Sequence, residues 1–115
     1  MRKIYHLSTC DTCRNILSQL NLEGVELINI RERNISKEDL QLMKKQTKTY
    51  ESLFNKRAQK LKDIPENKKP LKDLDFKRLI LQEYTFLKRP AAIIDGQVIV
   101  GNDNASVEAL IKALK

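Results

Sequence analysis

The order of elements in this sequence predicts an α/β fold, a four-stranded mixed sheet with helices on both faces. Three observations lead there. A short apolar run at Ile4–Leu7, a helical stretch and a second β-like run at Val25–Ile30 form a strand–helix–strand start. Near the end, two runs with β-branched residues flank Asp95-Gly96 and precede one more amphipathic helix. A helical segment lies between these halves.

Ile4–Leu7 is a continuous apolar run, the pattern of a buried strand. Ser8-Thr9-Cys10-Asp11-Thr12-Cys13 follows, small and polar residue types that start helices. Ile16, Leu17 and Leu20 then fall at helical spacing, so a helix is expected from about Asp11 to Leu20, with Gly24 as its stop. Val25–Ile30 is the second strand, and a single helical crossover makes it parallel to the first. Ser36 with Asp39 is a capping signal ahead of Leu40 and Met43, opening a helix to about Gln46. Tyr50–Lys62 is expected to be helical in part, with Leu53, Phe54 and Leu61 toward a core. Ile64–Pro70, with Pro65, Asn67 and Pro70, is a loop. Another helix is predicted over about Asp73–Tyr84, with Leu74 and Leu81 alternating with the charged Lys77 and Arg78. Arg89-Pro90 breaks the chain, because proline disfavours helix in the residue before it. Ala91–Ile94, Asp95-Gly96 and Gln97–Val100 form a tight hairpin, since a two-residue turn needs positive φ, which Gly and Asp tolerate. Gly101–Asn104 ends it and caps a last helix carrying Val107, Leu110, Ile111 and Leu114.

At 115 residues and 13.4 kDa, the chain fits one domain. A chain of this length buries roughly two-thirds of its unfolded surface, enough for a core without disulfide staples. Apolar residues at 41% supply that core and argue against long disorder. Three Gly, three Pro and two Cys exclude collagen-like and disulfide-rich classes. No apolar run approaches the ~20 residues of a membrane span. The start, Met1–Leu7, has no apolar core region or cleavage site of a signal peptide and reads as the mature start of a cytoplasmic protein. A net charge of +7 favours anionic partners without choosing among them. With aromatics at 5% and no Trp, direct nucleic-acid binding through stacked bases is poorly supported.

Cys10-Asp11-Thr12-Cys13 is the first candidate for chemistry. It sits where a strand ends and a helix begins, and free backbone N–H groups there stabilise a thiolate. Cys13, one turn on, is close enough to attack a mixed disulfide on Cys10. Half of a zinc site is the competing reading, opposed by the lack of a second Cys-x-x-Cys and by a single His. Two buried structural thiols are a third. Arg89-Pro90 is the second candidate: the bond is a candidate for the cis isomer entering an edge strand, and Arg89 for an anion-binding fork. Spacing alone leans toward a plain turn with a solvated arginine. His6 reads as a half-exposed strand residue rather than a partner of the thiolate. The basic stretch Lys56-Arg57, Lys60, Lys62, Lys68-Lys69 reads as a solvated face. Asp11 opposes the thiolate if close, and serves as a cap otherwise.

The pattern resembles the arsenate reductase / Spx family over nearly the whole chain. The carriers are Tyr5-His6, Cys10-Asp11-Thr12-Cys13-Arg14, Leu53-Phe54-Asn55-Lys56-Arg57, and Phe86-Leu87-Lys88-Arg89-Pro90 with the apolar Ala91–Ile94 behind it. The last block is the most specific. The resemblance implies one thioredoxin-like domain over 1–115, with a helical insertion at about 36–84. It implies Cys10 as nucleophile, Arg89 and Arg57 as anion-binding residues, and Arg14 and Thr12 in the loop that holds the anion. Pro90 is the structural proline. Enzymes of the arsenate branch hold the oxyanion with three arginines and resolve the adduct with glutathione. Here Gly101 or Asn102 stands where the third would be, which argues against arsenate itself. Cys13 is a second departure, shared with Spx-type regulators, whose Cys-x-x-Cys is a redox switch and whose partner is the RNA polymerase α subunit. A third, reductase-like branch associated with glutathione carries Cys-Asp-Thr in this loop.

Two functions are therefore expected. The first is a thiol-dependent oxidoreductase acting on a small oxyanion or a disulfide. Its reductant would be glutathione, a glutaredoxin or a thioredoxin, with no bound metal or organic cofactor. The second is a redox-switched regulator that binds the RNA polymerase α subunit.

Overall fold

Strand β1 (Arg2–His6) runs to the Cys loop, and helix α1 (Asp11–Leu17) returns the chain to β2 (Glu26–Asn29) in the computed structural model, which describes all 115 residues. After α2 (Lys37–Thr47) and α3 (Asp73–Gln82) come β3 (Ala91–Ile94), β4 (Gln97–Val100) and α4 (Asn104–Ala113). The sheet order is β2-β1-β3-β4. β1 and β2 are parallel, β1 and β3 antiparallel, and β3 and β4 antiparallel, giving the expected mixed sheet. The chain divides into two compact units, 1–33 with 89–115, and 34–88.

In the first unit the register puts Ile4, Ala92 and Ile99 in one row across the sheet. These residues bury against Ile16 of α1, Leu110 of α4 and Leu114 just past the end of α4. All four residues of β3 are buried. That burial follows from its place between two neighbours and corrects one expectation: the strand entered at Pro90 is internal, not an edge. The edges are β2 and β4. The hairpin turn forms as its residues predict, with φ of 50° at Asp95 and 89° at Gly96. α1 stops at Leu17, short of Leu20. The Ser18 hydroxyl donates to the Asn15 carbonyl at 2.6 Å, and the next N–H groups bond three residues back, a tighter winding that ends the helix.

In the 34–88 unit Ser36 caps α2 by accepting from the Asp39 N–H at 3.1 Å. Between α2 and α3 the chain makes short 3₁₀ turns at Glu51–Leu53, Gln59–Asp63 and Glu66–Lys68. The core of this unit centres on Phe54, stacked on Phe86 at 5.1 Å and edge-on to Phe76 at 5.0 Å. The buried side of α3 is Phe76, Leu79 and Ile80, whereas Leu74 is 68% exposed. The expected apolar role of Leu74 is thus corrected. The Asp75 carboxylate accepts from the Leu71 and Lys72 N–H groups at the helix start, while Asp73 accepts from the Tyr50 and Glu51 N–H groups of the first 3₁₀ turn, and together they hold the helix phase. No helix is long and apolar enough to cross a membrane.

Candidate functional site

The antiparallel register Tyr5↔Ala91 places the entry of β3 beside the exit of β1. Arg89-Pro90 therefore lies at the loop that carries Cys10, although 79 residues of chain separate Cys10 from Arg89. The Arg89–Pro90 bond is cis. Pro90 is fully buried, and its carbonyl accepts from the Gly101 N–H at 3.0 Å, which ties the start of the α4 loop to the same end of the sheet.

Cys10 stands at the N-cap of α1 in extended conformation, with its N–H donating to the Leu7 carbonyl at 3.1 Å. Cys10 is half-buried, while Cys13 is fully buried, and the two form no disulfide. Desolvation pushes the Cys10 thiol up. The Cys13 N–H, the Cys13 thiol and the Arg89 guanidinium act against it and win, so the thiol lies below its ordinary value. Burial is the main reason that Cys13 moves the other way, to about 11, with the neighbouring Cys10 adding to the rise. One cysteine is thus biased to thiolate and its neighbour to thiol, an arrangement in which the second donates to the first.

The loop before Cys10 is held by a residue that sequence reasoning missed. Asn29, at the end of β2, donates from Nδ2 to the Ser8 hydroxyl at 2.8 Å and accepts from the Ser8 N–H at 3.3 Å. The available signal was an amide side chain closing a strand predicted parallel to the one that leads to the cysteines. Arg14 pairs with the Asp11 carboxylate on the exposed side of the turn, so Asp11 is directed to a cation rather than at the sulfur. His6 is half-buried, and burial lowers its pKa against an opposing pull from Glu32.

Thr12 lines a groove of about 450 Å³ between α1 and α4. Arg57 belongs to the 34–88 unit, where it lines a cleft of about 430 Å³ with Lys56 and Lys88. Gly101 has φ of 112°, and a Cβ there would meet the Asp103 carboxylate at 3.1 Å. A side chain at 101, arginine included, is strained by backbone and neighbour alike.

A Cys-x-x-Cys at the exit of a β strand, a cis-proline at the entry of the antiparallel neighbour and this strand order define a thioredoxin-like protein. The chain belongs to the ArsC family, whose model matches residues 5–110. Among solved structures it is similar to the YffB (PA3664) protein, at 18% identity and a TM-score of 0.79 over 96% of this chain and 99% of that one. It is also similar to an arsenate reductase (ArsC) related protein from Brucella melitensis, at 25% identity and a TM-score of 0.68 over 96% and 94%. A third is SACOL0876 from Staphylococcus aureus COL, at 22% identity and 0.72 over 96% and 98%. Comparison with curated proteins gave no match. Family membership implies a thiol-dependent redox function.

Proposed function

We propose that this protein is a thiol-dependent reductase in which the Cys10 thiolate attacks an oxidised sulfur or a small oxyanion. The observation that carries the reading is the β1–β3 register that brings Arg89-Pro90 to the Cys10 loop, where the Arg89 guanidinium and the Cys13 N–H both act to lower the Cys10 thiol. The same cation that favours the thiolate is placed to neutralise an anionic reactant beside it. On a disulfide, the Cys10 thiolate joins one sulfur and the other leaves as thiolate. Cys13 then attacks Cys10, releasing the bound fragment as a thiol and leaving a Cys10–Cys13 disulfide. Loss of the Cys10 charge in the mixed disulfide removes one of the causes that hold the Cys13 proton. Two equivalents of an external thiol, supplied by glutathione or a glutaredoxin or thioredoxin, restore the dithiol. On arsenate, glutathione would resolve the Cys10 adduct.

A bidentate Arg–oxyanion contact is lost on Arg→Lys exchange. At about 1.5–3 kcal/mol for a charge-assisted bond, Arg89→Lys should weaken oxyanion binding ~10- to 150-fold. Lys88→Ala should do far less. Turnover with arsenate, glutathione and glutaredoxin, and with a small disulfide, compares wild type with Cys10→Ser and Arg89→Lys. Activity retained by Cys10→Ser on every substrate refutes the reading. The resemblance also assigns Arg57 to the anion, and Arg57→Ala tests that assignment. The presence of Cys13 favours one further reading, a redox switch. Redox-dependent capture of the RNA polymerase α subunit, without turnover, would support it.

A further inference from the structure

The Cys10 N–H that bonds the Leu7 carbonyl at 3.1 Å closes a β-turn with Ser8 and Thr9 at its centre. Before this turn β1 ends at His6. After it the Cys10 carbonyl accepts from the Arg14 N–H at 3.1 Å, which fixes Cys10 to the start of α1. The turn is thus the joint between β1 and α1, and its shape sets where the Cys10 sulfur stands. In a β-turn the N–H of the first central residue has no partner inside the turn. Here the Ser8 N–H donates to Asn29 Oδ1 at 3.3 Å, and Asn29 Nδ2 donates to the Ser8 hydroxyl at 2.8 Å. The Ser8 N–H and the Leu7 carbonyl belong to one planar peptide group. Asn29 therefore holds one end of that plane and Cys10 the other. The half-buried Asn29 is itself fixed by backbone. It lies opposite His6 in the ladder, the Ile30 N–H donates to the His6 carbonyl at 2.8 Å, and the Asn29 carbonyl accepts from the Glu32 and Arg33 N–H groups at 3.0 Å each.

We propose that Asn29 is a positioning residue for the thiol chemistry: by fixing the Leu7–Ser8 peptide it keeps the turn closed and holds the Cys10 sulfur where the Cys13 N–H and the Arg89 guanidinium act on it. The inference rests on Cys10 being the nucleophile. Asn29 acts through Ser8 and carries no charge. The titratable and charged groups that bear on Cys10 are Cys13 of α1 and Arg89 ahead of β3, with the Asp11–Arg14 pair on the exposed side of the same turn. Removing the Asn29 amide leaves all of them in the protein, so its effect on Cys10 comes through the shape of the turn. Without the amide the Leu7–Ser8 peptide turns toward water. Cys10 then shifts against its two stabilising partners, and the thiolate loses part of its advantage.

The test is the rate of alkylation by iodoacetamide against pH, with the labelled cysteine identified by peptide mass, beside the urea midpoint of each variant. The Cys10 thiolate displaces iodide, so the midpoint of the profile reads the ionisation of Cys10. Asn29→Ala should move that midpoint upward by about 0.5–1 pH unit, a ~3- to 10-fold slower reaction on the acid side of the profile. Ser8→Ala, at an exposed position, keeps the bond from its N–H and should move the midpoint the same way by less. In Asn29→Ala the Ser8 hydroxyl has no amide left to lose, so adding Ser8→Ala should change nothing further. Asn34→Ala is the control for a merely structural role. The Asn34 amide donates to the Ile80 carbonyl at 2.9 Å within the 34–88 unit, so its loss should lower the urea midpoint without moving the Cys10 profile. A profile unmoved in both Asn29→Ala and Ser8→Ala, or moved equally in Asn34→Ala, overturns the role of Asn29 and leaves Cys10 as nucleophile. Should Asn29→Ala not fold, Ser8→Ala alone decides. Turnover retained by Cys10→Ser overturns the nucleophile reading, and this inference with it.

Discussion

At Cys10 three groups compete with desolvation, and two of them come from its own turn. The third, Arg89, is the one whose removal leaves the backbone intact. Alkylation rate against pH should give a Cys10 midpoint below the ~8.5 of a free thiol. Arg89→Ala should move the midpoint upward by removing a hydrogen bond and a positive charge. A midpoint at or above the free value in the wild type would refute the activation described above. Cys13 has the opposite sign. Its folded pKa of about 11 exceeds the unfolded thiol value, so the folded state holds more protons in that window. Stability therefore falls as pH rises from the ordinary thiol range toward about 11. Cys10, depressed in the fold, adds stability as pH rises through the interval between its folded and unfolded values. Cys13→Ser should remove the alkaline loss, read as a flatter urea midpoint across that interval.

Among the elements, the β3–β4 hairpin is the one most fully written in local sequence. Gly96 holds φ of 89° with nothing within 4 Å of where a Cβ would stand. Gly96→Ala should therefore cost only the conformational penalty, about 1–2 kcal/mol. Gly96→Asn should recover most of it, since Asn tolerates this region. Ser36→Ala should cost ~1 kcal/mol by freeing the Asp39 N–H at the start of α2. Both are read as shifts of the urea midpoint at unchanged slope. Helix α3 shows the limit of reading a face from spacing. Leu74 and Leu81 fit a helical row, yet Phe76, Leu79 and Ile80 are the residues that bury. Both rows are apolar at helical spacing; the Asp75 cap at the helix start and the tie from Asp73 to the Tyr50 and Glu51 N–H groups hold the helix with the second row inward.

For the molecule as a whole, 22 basic and 15 acidic side chains leave a charge of +7. The ion pairs are exposed or nearly so, as at Arg33–Glu26 and Lys56–Glu51, and such pairs contribute little. Self-repulsion outweighs them. The melting temperature should thus rise as ionic strength goes from about 0.01 to about 0.1 M, over which the screening length shrinks from ~30 to ~10 Å. A falling melting temperature would mean that the exposed pairs dominate. Around Leu110, which is 1% exposed, packing sets a larger scale. Leu110→Ala should cost about 2–5 kcal/mol and lower the midpoint accordingly.

The sequence by itself determined the parallel start, the hairpin at Asp95-Gly96, the capped α2 and the position of the two cysteines at a strand exit. Each depends on contacts within a few residues, where side-chain period, caps and turn preferences act directly. Only the tertiary structure decided that β3 lies inside the sheet, that Arg89 reaches Cys10, that Asn29 clamps the loop before it and that Leu74 faces outward. Strand neighbours are joined by backbone groups common to all residues, so a strand's own pattern does not say what lies beside it. Arg89 in isolation reads as a solvated turn residue. It becomes a partner of the Cys10 sulfur because β3 pairs antiparallel to β1 in a register that sets Ala91 against Tyr5.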